Sequence, residues 1–263
     1  MKNVLVLIHD DKGQEARLQA ALDATRALKG HLTCLDVSPI VPFVGDMTGV
    51  SGGAILMELE RETETANAAR IRERLAAEDV PWTLSQVTGY FEAAVEEAAT
   101  LADLIVVNRA CDDLPLPDLR GLAASLVLRS GRPILAVPEE TRGFDAAGAA
   151  LVAWNGSHQA ATALGAAVPL LMLARSVTIV EIDQEDCAVP AEDAAAYLSR
   201  HGIHAEIIRW PEGRVAEGLI ALAQVKDYLV MGAFGHSRLR EALFGGVTRR
   251  LLQESPIPLL LTH

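Results

Sequence analysis

Short apolar runs alternate with longer stretches of helical spacing along the whole chain. Val4–Ile8, Leu32–Val37, Thr83–Val87, Leu104–Val107 and Ile134–Val137 read as strands, separated by the helical patterns Gln14–Leu28, Ile55–Ala77, Phe91–Leu101 and Leu119–Leu128. A parallel crossover needs a dozen or more residues, so strands spaced this way favour parallel pairing. The near-continuous Val/Ile/Leu content of the strands predicts burial on both sheet faces. The fold class is therefore α/β.

The second half runs through the same programme: Leu151–Trp154, a helix, Val177–Ile182, a helix, Ala205–Arg209, the helix Val215–Ala223, Tyr228–Met231, the helix Thr248–Gln253 and Leu259–Thr262. Asp10 and Asn155, like Val37 and Ile182, stand 145 residues apart, whereas Gly89 and Gly213, Asp103 and Asp227, and Gly121 and Gly245 stand 124 apart. The fall of 21 places the extra length of the first copy in Ser38–Ala54 and the long helix after it. The polar stretch Glu139–Gly148 separates the copies, giving expected domains at residues 1–140 and 148–263. The last strand, Leu259–Thr262, is expected to pair with Ile134–Val137, which would make the chain an intramolecular pseudo-dimer and cover two sheet edges. A homodimer of the tandem chain is a further assembly open to it.

Composition narrows the functional classes. The chain has 263 residues with 35 acids against 23 bases, a formal charge of −12, and 4% aromatic residues. That balance argues against nucleic acid, which needs a clustered basic surface or stacking aromatics. Cys34, Cys111 and Cys187 are far apart, which fits neither a metal cluster nor a disulfide framework. The five apolar residues Val4–Ile8 are too few for a signal-peptide core, and no run approaches the length of a membrane span. A cytoplasmic protein without membrane contact is expected. The charge is also uneven: residues 1–145 carry a net −9 and residues 146–263 a net −3.

The most informative stretch is Val230-Met231-Gly232-Ala233-Phe234-Gly235-His236-Ser237-Arg238, continuing to Phe244-Gly245-Gly246-Val247-Thr248. Gly232 and Gly235 follow a buried strand, where the absence of a Cβ lets backbone amides approach a ligand. Gly245 and Gly246 precede a helix, whose unpaired N–H groups and dipole favour an anion such as phosphate. Arg238, Arg240, Arg249 and Arg250 flank this element, so the local field suits phosphate despite the net charge.

The spacing Gly-x2-Gly-x9-Gly, filled by Gly232, Gly235 and Gly245, resembles the nucleotide-binding signature of the universal stress protein family. The resemblance extends over both copies. It implies two tandem doubly wound domains, each a five-stranded parallel sheet with helices on both faces, and a cytoplasmic stress-response role. It also implies a site for ATP or AMP, with Mg²⁺ accompanying ATP. The nucleoside would meet the residues ending the first two strands: Asn155 and Ile182 in the second copy, Asp10 and Val37 in the first. Gly232, Gly235, Gly245, Gly246, Val247 and Thr248 would form the phosphate side. The sequence departs from the signature at Gly246, where the family has Ser or Thr, and at Asn155, where it has Asp; Thr248 could supply a hydroxyl only in a different register. In the first copy the glycine positions read Asn108, Cys111 and Gly121, followed by Leu122, with Asp112, Asp113 and Asp118 between them. Side chains and acids there would oppose phosphate, so ATP is expected in the second domain alone. The alternatives are a protein-interaction module without nucleotide and a weak ATPase.

Other patterns carry less. Ser51-Gly52-Gly53-Ala54 lacks the Asp-Ser of an ATP-pyrophosphatase loop and reads as a surface loop. Ser157-His158 and His236-Ser237 have no nucleophile elbow around them and read as loop residues, although His236 lies inside the Gly-rich loop. Asn155-Gly156-Ser157 is formally a glycosylation sequon without a secretory signal beside it. The Glu/Arg-rich stretch Glu58–Glu73 reads as a solvated helix face held by i,i+4 pairs.

Overall fold

The computed structural model describes residues 1–39, 65–109, 122–182, 189–210, 213–233 and 246–263. The strands are β1 (Asn3–Ile8), β2 (His31–Pro39), β3 (Trp82–Gly89), β4 (Leu104–Asn108), β5 (Ile134–Val137), β6 (Ala149–Trp154), β7 (Ser176–Ile182), β8 (Ala205–Trp210), β9 (Tyr228–Gly232) and β10 (Leu259–Thr262). The helices are α1 (Gln14–Leu28), α2 (65–76), α3 (Phe91–Ala99), α4 (Leu122–Arg129), α5 (His158–Leu171), α6 (Ala191–Ser199), α7 (Val215–Ala223) and α8 (Gly246–Glu254).

All ten strands join one sheet in the order β3-β2-β1-β4-β5-β10-β9-β6-β7-β8. Each half pairs its own strands in parallel, as the crossover lengths require. At the centre β5 and β10 run antiparallel, with Leu260 opposite Leu135 and Leu261 opposite Ile134. The expected pairing of the last strand with Ile134–Val137 is thus present, and it makes one sheet rather than two. The paired residues Ile134–Ala136 and Leu259–Leu261 are apolar and inaccessible, so water cannot compete for the ladder. The sheet edges are β3 and β8, whose burial alternates along the strand, as an edge with one wet face demands.

Helices cover both faces. Leu18, Leu22, Ile71, Leu75, Leu164 and Leu198 carry α1, α2, α5 and α6 onto one face. Val95, Leu126, Leu219 and Leu251 carry α3, α4, α7 and α8 onto the other. The matched aspartates of the duplication prove structural. Asp103 accepts the backbone N–H groups of Lys2 (2.6 Å) and Asn3 (2.9 Å), and Asp227 accepts that of Ala149 (2.6 Å), so each pins the start of its half's first strand. These N–H bonds hold the Asp103 carboxyl below its usual pKa.

One local expectation changes in detail. The arginines of α2 do not simply line a solvated face: Arg70 bonds Asp10 (2.6 Å) on the loop after β1, and Arg74 bonds Gln19 (2.9 Å) on α1. Asn67 of α2 is buried in a reciprocal amide pair with Gln14. The earlier part of the expected Ile55–Ala77 helix and the Ser51–Ala54 loop lie outside the described residues. Among the described residues no helix is long and apolar enough to cross a membrane.

Candidate functional site

In a doubly wound sheet the ligand crevice opens beyond the strand carboxyl ends, where the strand order reverses. That point falls between β1 and β4 in the first half and between β6 and β9 in the second. The two crevices are built from opposite materials.

In the first half the crevice is filled from within. Arg17 on α1 is 1% exposed. Its Nε donates to the Leu7 carbonyl of β1 (2.6 Å), and its guanidinium pairs with Asp11 (3.0 Å) and bonds Oδ1 of Asn108 at the end of β4. Asn108, which stands at the first signature position, returns its Nδ2 to the Gly13 carbonyl (3.2 Å). A buried cation is costly unless paired and fully hydrogen-bonded, and this one is both. Asp10 is held by Arg70, Val37 is buried, and Leu122, the first residue of α4, is buried in the core. Cys111, Asp112, Asp113, Asp118 and Gly121 lie outside the described residues.

In the second half two polar groups at the strand ends, on Asn155 and Thr262, lack a partner among the described residues. Asn155 follows β6, and its Oδ1 accepts from the backbone N–H (3.2 Å) and hydroxyl (2.7 Å) of Ser157. A backbone N–H can meet only the amide oxygen, so the orientation of the amide is set. Its Nδ2 has no hydrogen-bond partner among the described residues. The turn is possible because Gly156 sits at φ 68°, the left-handed region that favours glycine. Ser157 then caps α5 by accepting from the Ala160 N–H (3.2 Å). Ile182 ends β7 with its side chain buried. Thr262, hydrogen-bonded alongside Gly232 at the end of β10, is 4% exposed, and its hydroxyl lacks a partner among the described residues.

The signature residues fall into three groups. A Cβ on Gly232 would lie 2.6 Å from the Ala160 nitrogen and the Gln159 carbonyl oxygen, so this glycine is required by the close approach of α5 to β9. Gly246 opens α8, and no atom of the described residues lies within 4 Å of a Cβ built there. Val247 is half-buried, while Thr248 is buried on the same helix face as Leu251 and Leu252. Gly235, Gly245, His236, Arg238 and Arg240 lie outside the described residues. Of the expected phosphate-facing cations, Arg250 is engaged by Glu217 (2.5 Å) and Glu254, which leaves Arg249 exposed. Among the described residues no group of His, Cys, Asp and Glu could hold a metal ion. Burial pushes the Cys34 thiol up to about 12, so it is inert at neutral pH.

Sequence reasoning missed Arg17, Thr262 and the partner of Asn108. The signal for Arg17 was present: a charged residue at a core-facing position of α1, one helical turn from Gln14 and Ala21.

Residues 149–263 match the family model described as "Universal stress protein family". The second half is a universal stress protein domain. The whole chain has the tandem architecture of solved relatives of this fold. A universal stress protein from Archaeoglobus fulgidus DSM 4304 aligns over 99% of this chain and 97% of its own length at 14% identity, with a TM-score of 0.76. A protein of unknown function from Pseudomonas aeruginosa PAO1 aligns over 99% and 92% at 18% identity, with a TM-score of 0.60. At these identities the likeness establishes the fold, and it places the first half on the same plan as the universal stress protein domain. No protein of curated function matches the sequence.

Proposed function

We propose that the universal stress protein domain at residues 148–263 binds one adenine nucleotide, ATP or AMP, and that the domain at residues 1–140 binds none. In this reading the chain is a cytoplasmic stress-response protein that senses or carries the nucleotide. The observation that carries it is the contrast at the two crevices. In the second half Asn155 Nδ2 and a Cβ position at Gly246 meet no partner among the described residues, whereas Arg17, Asp11 and Asn108 satisfy one another in the first. The nucleoside would lie against Asn155 and Ile182, with phosphate at the N-terminus of α8. There the N–H groups and dipole supply about 0.3–1 kcal/mol before the loop residues contribute. Where ATP is bound, Mg²⁺ would ride on the phosphates with water, as that ion commonly does.

Gly246 offers a test that leaves the described packing intact, because a Cβ there meets no atom among the described residues. Gly246→Asp places a carboxylate at a helix N-terminus, which favours the helix itself but repels phosphate. At about 5 Å and an effective dielectric near 20 the repulsion is about 3 kcal/mol, or roughly a hundredfold in affinity. Calorimetry with ATP and Mg²⁺, and with AMP, should show binding to the wild type, a loss of this order in Gly246→Asp, and tighter binding in Gly246→Ser. Equal affinities in all three proteins would remove phosphate from α8. An absence of binding at millimolar nucleotide would overturn the reading.

A further inference from the structure

We infer that Arg109 of the first half is a positioning residue for α8, so that the half without a nucleotide site braces the helix that opens the other half's site. Arg109 follows β4 directly, and its Nη1 donates to the Gln253 carbonyl in the last turn of α8 (2.6 Å). The last carbonyls of a helix need donors and favour a cation. The last turn of α8 has no basic residue of its own and carries Glu254, which has the wrong sign. Arg109 supplies both the donor and the charge.

Its own position is firm. The Arg109 N–H bonds the Val137 carbonyl (3.0 Å), and its neighbour Asn108 is held by Arg17, Gly13 and Val137. The internal filling of the first crevice therefore fixes the strand end from which the brace extends. The contact runs one way. The position matching Arg109 in the second half is Ala233, which has no donor to return, and α4 ends on its own Ser130, whose N–H and hydroxyl both meet the Leu126 carbonyl. With nine residues and three buried side chains, α8 has few other anchors.

The inference rests on the nucleotide reading for its functional half, and the test separates the two. Hydrogen exchange at residues 250–254 and nucleotide affinity are measured on the full chain for wild type, Arg109→Gln and Arg109→Lys. Arg109→Gln should speed exchange in α8 several-fold while leaving β9 and β10 unchanged, and should weaken ATP or AMP binding by about two- to fivefold, the scale of a helix-end charge. Arg109→Lys should restore both. Unchanged exchange in Arg109→Gln overturns the brace whether or not nucleotide binds. Faster exchange with unchanged affinity overturns the positioning role. A wild type that binds no nucleotide refutes the nucleotide reading and with it the positioning role, while exchange still decides the brace.

Discussion

Replacing Arg17 with methionine removes the group that closes the first crevice while keeping most of its volume. The loss can be worked from its partners. Asp11 would keep its charge without a counterion, and because it retains 10% of its side-chain exposure the cost is about 2–3 kcal/mol, the lower end for breaking a buried pair. The Leu7 carbonyl and Asn108 Oδ1 would each lose a donor, at about 1 kcal/mol apiece. The methionine returns about 1 kcal/mol through apolar burial. A net loss of about 3–4 kcal/mol is a large share of the roughly 5–15 kcal/mol that holds a protein folded. At about 2–4 °C per kcal/mol it lowers the melting temperature by roughly 6–16 °C. Urea unfolding of wild type, Arg17→Met, Asp11→Asn and the double variant measures it. The double variant should recover part of the loss, because the stranded charge is gone. A loss under about 1 kcal/mol, or strict additivity of the two substitutions, would refute the claim that these groups satisfy one another.

Further outcomes follow from other buried groups. Tyr228 is inaccessible, its hydroxyl has no partner among the described residues, and burial raises its pKa; Tyr228→Phe should therefore gain about 1 kcal/mol, and a loss in urea unfolding would contradict this. Gly232→Ala should cost about 2–3 kcal/mol, because the added methyl meets the backbone of α5, and unchanged stability would contradict the close approach. The folded-state pKa of Asp103 is depressed by the Lys2 and Asn3 N–H groups, so its stabilisation is complete above the unfolded value near 3.9 and is lost as pH falls through the folded value. Wild type should exceed Asp103→Asn by about 1 kcal/mol at neutral pH. The two should converge below about pH 4 in acid titrations of stability, and a constant difference would contradict the linkage.

Much of the fold was legible because apolar periodicity is a local signal. The alternation around Val4–Ile8 and Leu151–Trp154, and the recurring offsets, mark the duplicated α/β plan without any long-range information. The β5–β10 pairing was legible for a different reason: an apolar terminal strand needs a covered edge, and the matching strand of the other copy offers one. The site was less legible, because motif spacing does not say what a residue faces. Gly232 reads as a ligand glycine, yet a helix backbone already demands it. Asn108 reads as a lost glycine, whereas it has gained partners on α1 and β5. Asp103 and Asp227 stand out by their offset, but their role depends on strand starts about a hundred and about eighty residues away. Arg109 carries no pattern at all, since its partner is a carbonyl in the other half.

The central claim is asymmetry: one crevice open to nucleotide and one filled by the protein itself. The stoichiometry of ATP or AMP binding to the full chain, measured by calorimetry, tests it most directly. One nucleotide per chain, lost in Gly246→Asp and retained in Asp10→Ala, is the predicted result. Two per chain, or one that survives Gly246→Asp and disappears with Asp10→Ala, would contradict it.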